Sequence, residues 1–429
     1  MDRPRQSVLR QLAELRLSGD PVRSGALAGT GLIPVRPRSR GRSYDLEICK
    51  HAKECGGCLY QGIDYEQQRT MKGKEVLRLL EKKGIQPEVF GGIEGSPQLY
   101  RYRNKMEYTF GDQVKDGPMT LGMHQRGRFM SIVTVDECQL VDEDFNRIVK
   151  AVLDFVTEKG YRFYHKKSHT GLLRHLILRK GQHTNELLVN LVTSSQSDFD
   201  DEGFLTMLMG LELNNQLVGV LHTYNDRMAD AVYCDRMDIL YGRDYYNETI
   251  MGLKFRVSAF SFFQTNVPAV ERLYTEAVEL IDHVEGKVVF DLYCGTGTIT
   301  QRLALQAKEA IGVEIVEDAV EAARKNAAEN GLSNCRFIAG DVLKVLDELE
   351  EIPDVIVVDP PRAGIHPKAM QKILNYGVKQ IVYISCNPKT LVENLDMAGF
   401  YEYQVKYVKA YDNFAFSKHI ECVTLLERK

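Results

Sequence analysis

Val288-Val289-Phe290-Asp291-Leu292-Tyr293-Cys294-Gly295-Thr296-Gly297-Thr298 reads as a short apolar run that breaks into a glycine-containing turn and then a helical stretch. A buried strand feeding such a turn and helix is the opening unit of a parallel sheet with crossover helices, and its ligand lies over the turn. Downstream, strand-like runs at 310–314, 335–339, 354–359 and 380–385 alternate with helical segments. That alternation predicts a doubly wound α/β sheet from about residue 285 onward. Two further runs, 401–409 and 420–427, follow with no helix between them, so they are expected to close the sheet as an antiparallel hairpin.

Upstream the pattern is mixed. A helix is expected over 65–83 and strands over 174–179, 186–192 and 217–224, which suggests an α+β middle domain. Residues 1–43 hold nine Arg and no Lys, with a short helical stretch at 7–17. Their Arg-rich end, 36–42, suits either phosphate contact or a solvated basic tail. The expected organisation is therefore an N-terminal segment (1–43), a middle domain (44–257) and a C-terminal sheet domain (258–429).

The chain of 429 residues is long enough for two or three cores, and 44% of it is hydrophobic. With 55 Lys plus Arg against 59 Asp plus Glu, nucleic-acid contact would have to come from local basic patches. No apolar run is long enough to span a membrane and no cleavable leader is apparent, so the cytoplasm is the expected location. Nine cysteines, an odd count, suit metal or catalytic roles better than a disulfide framework.

The turn after 288–292 lacks the third glycine of a dinucleotide fingerprint, because Thr300 stands in that place. Glu314 ends the second strand, where a carboxylate can accept both ribose hydroxyl protons, and Asp341 ends the third, on the purine side. Each acid alone reads as a solvated loop charge. Together at successive strand ends they favour S-adenosylmethionine over a nicotinamide cofactor. The fourth strand ends in Asp359-Pro360-Pro361-Arg362 and the fifth in Ser385-Cys386-Asn387-Pro388. Cys386 should thus emerge at the cofactor edge, beside a helix N-terminus that favours thiolate. The plainer reading is a small buried residue at a strand end.

Phe262-Phe263-Gln264-Thr265-Asn266, Asp291 to Gly297, Asp359 to Arg362, Ser385 to Pro388 and His419-Ile420-Glu421 occur in one order. Over roughly residues 44–429 this resembles the RNA uracil-5 methyltransferase family. Within that family the chain looks most similar to the iron-sulfur 23S ribosomal RNA branch, because of Cys49, Cys55, Cys58 and Cys138. The resemblance implies a Rossmann-like class I methyltransferase sheet and a cluster-binding α+β middle domain. It also implies that the Cys386 thiolate adds to carbon 6 of a uracil, that carbon 5 takes the methyl group, and that Glu421 removes the carbon 5 proton. Gln264, Tyr293, Glu314 and Asp341 match cofactor contacts, with Asp359 between cofactor and substrate.

Cys49-x5-Cys55-Gly56-Gly57-Cys58 with a distant Cys138 could by spacing hold zinc or a cluster, and the resemblance implies 4Fe-4S. The implied partner is RNA, in the first place 23S ribosomal RNA. The same reaction on transfer RNA is the nearest alternative, and a non-catalytic RNA-binding protein is an alternative of another class. Tyr100-Arg101-Tyr102-Arg103-Asn104-Lys105 interleaves cations with aromatics, as an RNA contact or as a strand whose aromatics face the core, and Arg126, Arg128, Arg174 and His175 would extend such a surface. Many relatives begin with a small β-barrel RNA-binding domain, of which residues 1–43 are at most a remnant.

Overall fold

A computed structural model describes residues 47–229 and 232–429; the segment 1–43, with its expected helix, lies outside the described residues. The first helix, Tyr65–Lys82, starts where the Asp64 side chain accepts from the backbone N–H groups of Glu66 and Gln67 at 3.0 and 3.2 Å. Its buried residues recur at three and four positions, and they divide in kind along the helix. Val76, Leu79 and Leu80 enter the core of the C-terminal sheet. Gln68 and Lys72 instead grip the segment that leads into the last strand. The Gln68 side-chain carbonyl accepts from Phe416 N–H at 2.9 Å, and Lys72 Nζ donates to Asp412 Oδ1 at 2.6 Å and to the Phe414 carbonyl at 3.2 Å.

Lys72 and Asp412 are 1% and 0% exposed in their side chains, so neither charge can fall back on water. Replacing Lys72 by methionine leaves a buried carboxylate without its cation, and should lower the unfolding free energy by about 3–5 kcal/mol. Urea denaturation measures this; a loss below about 1 kcal/mol would mean that Asp412 finds another partner.

Strand β1 (Val89–Glu94) follows this helix. The middle region builds a seven-stranded sheet from β2 (Lys105–Asp112), β3 (Met119–Gln125), β4 (Arg128–Thr134), β5 (Leu173–Lys180), β6 (Glu186–Thr193), β7 (Gln216–Tyr224) and β8 (Arg236–Gly242), in the order β4-β3-β2-β5-β6-β7-β8. The helix Glu143–Glu158 covers it with an apolar stripe of Phe145, Ile148, Val149, Val152 and Val156, joined by Phe204 and Leu208 of Asp201–Met209. The middle region is thus α+β, as its mixed pattern predicts. A hairpin of β9 (Tyr245–Ile250) and β10 (Leu253–Ser258) leads to the helix Val267–Glu279.

The C-terminal sheet comprises β11 (Val288–Leu292), β12 (Glu309–Glu314), β13 (Cys335–Ala339), β14 (Val355–Val358), β15 (Gln380–Ser385), β16 (Tyr403–Tyr411) and β17 (Glu421–Arg428). With β1 at its edge it runs β1-β16-β17-β15-β14-β11-β12-β13. β14 and β15 are buried at every position, which their near-continuous apolar sequences anticipate for strands covered on both faces. β11 has β12 on one side and β14 on the other, so the strand order reverses there and opens a crevice over the carboxyl ends. The closing hairpin forms as expected, with β17 inserted antiparallel between β15 and β16. Among the described residues no helix is long and apolar enough to cross a membrane.

Candidate active site

The turn after β11 is built by backbone that few side chains tolerate. Tyr293, Gly295 and Gly297 have φ of 69°, 54° and 76°. A Cβ on Gly297 would lie 2.5 Å from Phe337 Cε1, so that position requires glycine, whereas a Cβ on Gly295 would meet nothing within 4 Å. The turn therefore has a packed underside and an open upper face. Glu314, at the end of β12, is held at both oxygens: Gly295 N–H donates to Oε2 at 3.1 Å and Val316 N–H to Oε1 at 3.0 Å. Asp341 caps the helix Val342–Glu348 by accepting from Leu343 N–H at 2.8 Å. The Tyr293 hydroxyl is pushed up to about 12 by burial and by the Asp341 charge, which marks these two as neighbours. Tyr293, Glu314 and Asp341 thus surround one turn at three successive strand ends, an arrangement that fits an adenosyl group.

The second half of the site follows β14 and β15. Ser385 pairs with Cys422 across the antiparallel β15–β17 ladder, so the next position along β15, Cys386, comes alongside Glu421. Burial pushes the Cys386 thiol up to about 11, with the charges of Glu421 and Asp359 adding to the effect. Burial and the Asp359 charge push Glu421 up to about 8, against the pull of Arg362. Asp359 itself rises to about 7 through burial, opposed by the Tyr274 hydroxyl. The three groups, each half-buried, form one acidic cluster in which each ionisation disfavours the next.

The helix N-terminus expected beside Cys386 is present: Asn387 accepts from Lys389 N–H at 3.2 Å and Pro388 opens the helix Pro388–Gly399. It does not make the resting sulfur a thiolate, because desolvation and two neighbouring carboxyls outweigh a partial charge on the helix end. Arg362 is the opposing cation, and its carbonyl accepts from Asn387 Nδ2 at 2.9 Å, tying the Asp359 loop to the Cys386 loop.

Gln264 reaches the same cluster from the opposite side. Its Nε2 donates to Tyr274 Oη at 2.8 Å, and Tyr274 Oη donates to Asp359 Oδ2 at 3.2 Å. The loop carrying Gln264 is fixed by the middle region, where Asn104 donates through Nδ2 to the Gln264 carbonyl at 3.1 Å and through its backbone N–H to Thr265 at 3.0 Å. Sequence reasoning missed Tyr274. Its only signal is membership of a buried helical stripe with Val270, Leu273 and Ala277, which reads as core.

The aromatic–cation run 100–105 resolves towards packing. Tyr102 is 1% exposed and donates to the Ala415 carbonyl at 3.1 Å, the Tyr100 ring lies 5.4 Å from that of Phe416, and Arg101 pairs with Glu143. Arg174 is buried too, donating to the carbonyls of Asn225, Arg227 and Ala229 at 2.7–2.9 Å, and His175 is buried, so neither extends an RNA surface. Arg126 and Arg128 are exposed.

Cys49, Cys55, Cys58 and Cys138 lie near enough for their charges to be felt within the group, and burial pushes up the thiols of Cys55, Cys58 (to about 12) and Cys138 (to about 11). Among the described residues no group of three or more His, Cys, Asp or Glu side chains is arranged to hold a metal ion. The middle region is therefore α+β with no metal-holding arrangement among its described residues, and the cluster-binding domain expected there is not supported.

The comparisons with known proteins bear on both halves of the site. Residues 233–429 match the family described as tRNA (Uracil-5-)-methyltransferase. An uncharacterized RNA methyltransferase of Caldanaerobacter subterraneus is 46% identical over 95% of this chain and 93% of its own length, and one of Clostridium tetani is 47% identical over 90% and 85%. Among solved structures, the Pyrococcus abyssi tRNA (uracil-54, C5)-methyltransferase in complex with S-adenosyl-L-homocysteine superimposes with a TM-score of 0.72 at 27% identity, covering 87% of this chain and 86% of that one. The expected placement in an iron-sulfur 23S ribosomal RNA branch is overturned: the matched family and this structural neighbour are both transfer RNA enzymes, and the described residues offer no metal-holding group. What the site and these matches establish together is that the chain belongs to the RNA (uracil-5-)-methyltransferase family, enzymes that use S-adenosylmethionine to methylate carbon 5 of uracil in RNA.

Proposed function

We propose that the protein methylates carbon 5 of a uridine in transfer RNA through a covalent adduct at Cys386. The observation that supports this is the pairing of β15 with β17, which sets Cys386, read as the nucleophile, alongside Glu421, read as the base. Transfer RNA is favoured over ribosomal RNA by the family match and by the structural neighbour.

When bound, S-adenosylmethionine supplies the methyl group as a sulfonium. The chain's own residues do the rest. Arg362, whose charge favours the ionised forms of both Cys386 and Glu421, helps the thiol release its proton to solvent before the uracil is attacked. The Cys386 sulfur bonds to carbon 6, the carbon 5–carbon 6 π electrons move into an enolate, and carbon 5 then bonds the methyl group. Glu421 takes the carbon 5 proton. The electron pair left behind restores the ring double bond and expels the Cys386 thiolate. Gln264, Tyr293, Glu314 and Asp341 hold the cofactor, and Asp359 accepts a hydrogen bond between cofactor and pyrimidine. The target uridine must leave its stack to bring carbons 5 and 6 to Cys386, and the middle region of 44–257 is its RNA-binding support.

Labelled methyl transfer to unmodified transfer RNA and to unmodified ribosomal RNA, with the product nucleotide mapped, tests the reading. We expect 5-methyluridine at one position of transfer RNA. Labelling confined to ribosomal RNA would overturn the substrate assignment.

The four N-terminal thiols are a separate proposal: a set able to serve as ligands to a thiophilic metal, supported by their mutual electrostatic influence alone. Iron, zinc and sulfide analysis of protein purified without oxygen decides it, and metal-free folded protein would leave them to packing.

A further inference from the structure

We propose that Tyr274 is a positioning residue for methyl transfer: a buried hydroxyl that passes the orientation of Gln264 on to Asp359 and holds Asp359 as a hydrogen-bond acceptor. The inference rests on the reading above for the role of Asp359. Tyr274 is 4% exposed on the helix Val267–Glu279, and a tyrosine buried for packing alone needs only one partner for its hydroxyl. This one has two, and their polarity is fixed. Gln264 Nε2 carries only donors and fills the acceptor side of Tyr274 Oη at 2.8 Å, so the tyrosine's own proton is directed to Asp359 Oδ2 at 3.2 Å. One oxygen of Asp359, Oδ2, is thereby occupied. The Gln264 main chain is in turn anchored by Asn104 of the middle region, whose Nδ2 donates to the Gln264 backbone carbonyl.

The relay matters because Asp359 has unfavourable company. Asp291 faces it from β11, Tyr383 and Cys386 from β15, and Glu421 from β17. Arg362 follows in the same loop, with its charge acting on Cys386 and Glu421. The Tyr274 hydroxyl is the group that favours the ionised form of Asp359, against burial. Without it the carboxyl would be held protonated to higher pH and would be free to turn.

The test compares wild type with Tyr274→Phe, Asp359→Asn and the double variant, in full-length protein with transfer RNA. Tyr274→Phe should lower kcat by about 10- to 100-fold, the loss expected for one hydrogen bond to a charged group. S-adenosylhomocysteine affinity should change much less, and the acid limb of the pH–rate profile should move to higher pH. The double variant should be no slower than Asp359→Asn alone, because Tyr274 acts through Asp359. An unshifted acid limb, or losses that multiply in the double variant, would overturn the proposal. If Tyr274→Phe does not fold, Gln264→Leu removes the donor that sets the hydroxyl's direction, and should shift the limb the same way by a smaller amount; no shift there refutes the relay. Full activity of Asp359→Asn and Cys386→Ala would instead refute the underlying mechanism, which keeps the two failures apart.

Discussion

Cys386→Ala is expected to reduce methyl transfer by about 10⁴-fold or more, since removing the nucleophile of a covalent mechanism leaves only binding and orientation. S-adenosylhomocysteine binding should be unchanged, because the residues around the β11 turn are untouched. No neighbouring thiol can substitute. Cys422 is fully buried and follows Glu421, on the opposite side of the β17 pleat from it. Cys294, in the cofactor turn, is held well above the usual thiol range by burial and by the charges of Asp291 and Glu314. Initial rates with labelled S-adenosylmethionine, alongside calorimetric binding of S-adenosylhomocysteine, measure both halves of the expectation. An alanine variant within tenfold of wild type would end the covalent reading.

Glu421→Gln should behave differently. The amide cannot take a proton from carbon 5, so the reaction should stop after methyl transfer with the Cys386–carbon 6 bond intact. Turnover should fall by about 10²- to 10⁴-fold, the usual contribution of a general base. At the same time, a protein–RNA species that survives denaturing electrophoresis should accumulate, with about one equivalent of S-adenosylhomocysteine per enzyme. Trapping after methylation separates this role from a structural one, which would lower the rate without leaving an adduct.

The wild type adds a pH signature. Burial, followed by the charge of Asp359, pushes Glu421 up to about 8. A base must be ionised to act, so protonation below that value removes activity, and kcat/KM should climb steeply with pH up to about 8 and more gently above it, where only the Cys386 thiol, pushed up to about 11, still resists ionisation. The rise belongs to Glu421 and Asp359 as a coupled pair. An activity already flat across pH 6 to 8 (~) would mean that the resting cluster is less desolvated than its packing implies.

The order of strands and helices from β11 onward was legible in the sequence because each element carries its own period. The strands at 288–292, 335–339 and 380–385 follow from short β-rich runs between turn residues, and the turn follows from glycines at positions that demand positive φ. The motif ends Asp359 and Cys386 were placed at one sheet edge by the same local logic, whereas Glu421 came only from the family resemblance. The iron-sulfur placement failed because cysteine spacing suggests a ligand set whatever the three-dimensional arrangement, and the arrangement is what a metal requires. The run 100–105 was ambiguous for a related reason: alternation reports that a strand has two faces without saying which one meets the core, and Tyr102 goes inward onto Ala415, a residue hundreds of positions away in the chain.

The sequence by itself determined the order of strands and helices in the C-terminal sheet and the glycine turn after β11, since those depend on neighbours a few positions apart. Tertiary structure alone decided that β1 would cross to the edge of the C-terminal sheet, that Lys72 would pair with Asp412, and that a core-like Tyr274 would bridge Gln264 to Asp359. It also decided that Cys386 would rest protonated beside a helix end expected to favour thiolate. Desolvation and charge–charge coupling depend on which distant groups the fold brings within a few ångströms, and no local pattern encodes that distance.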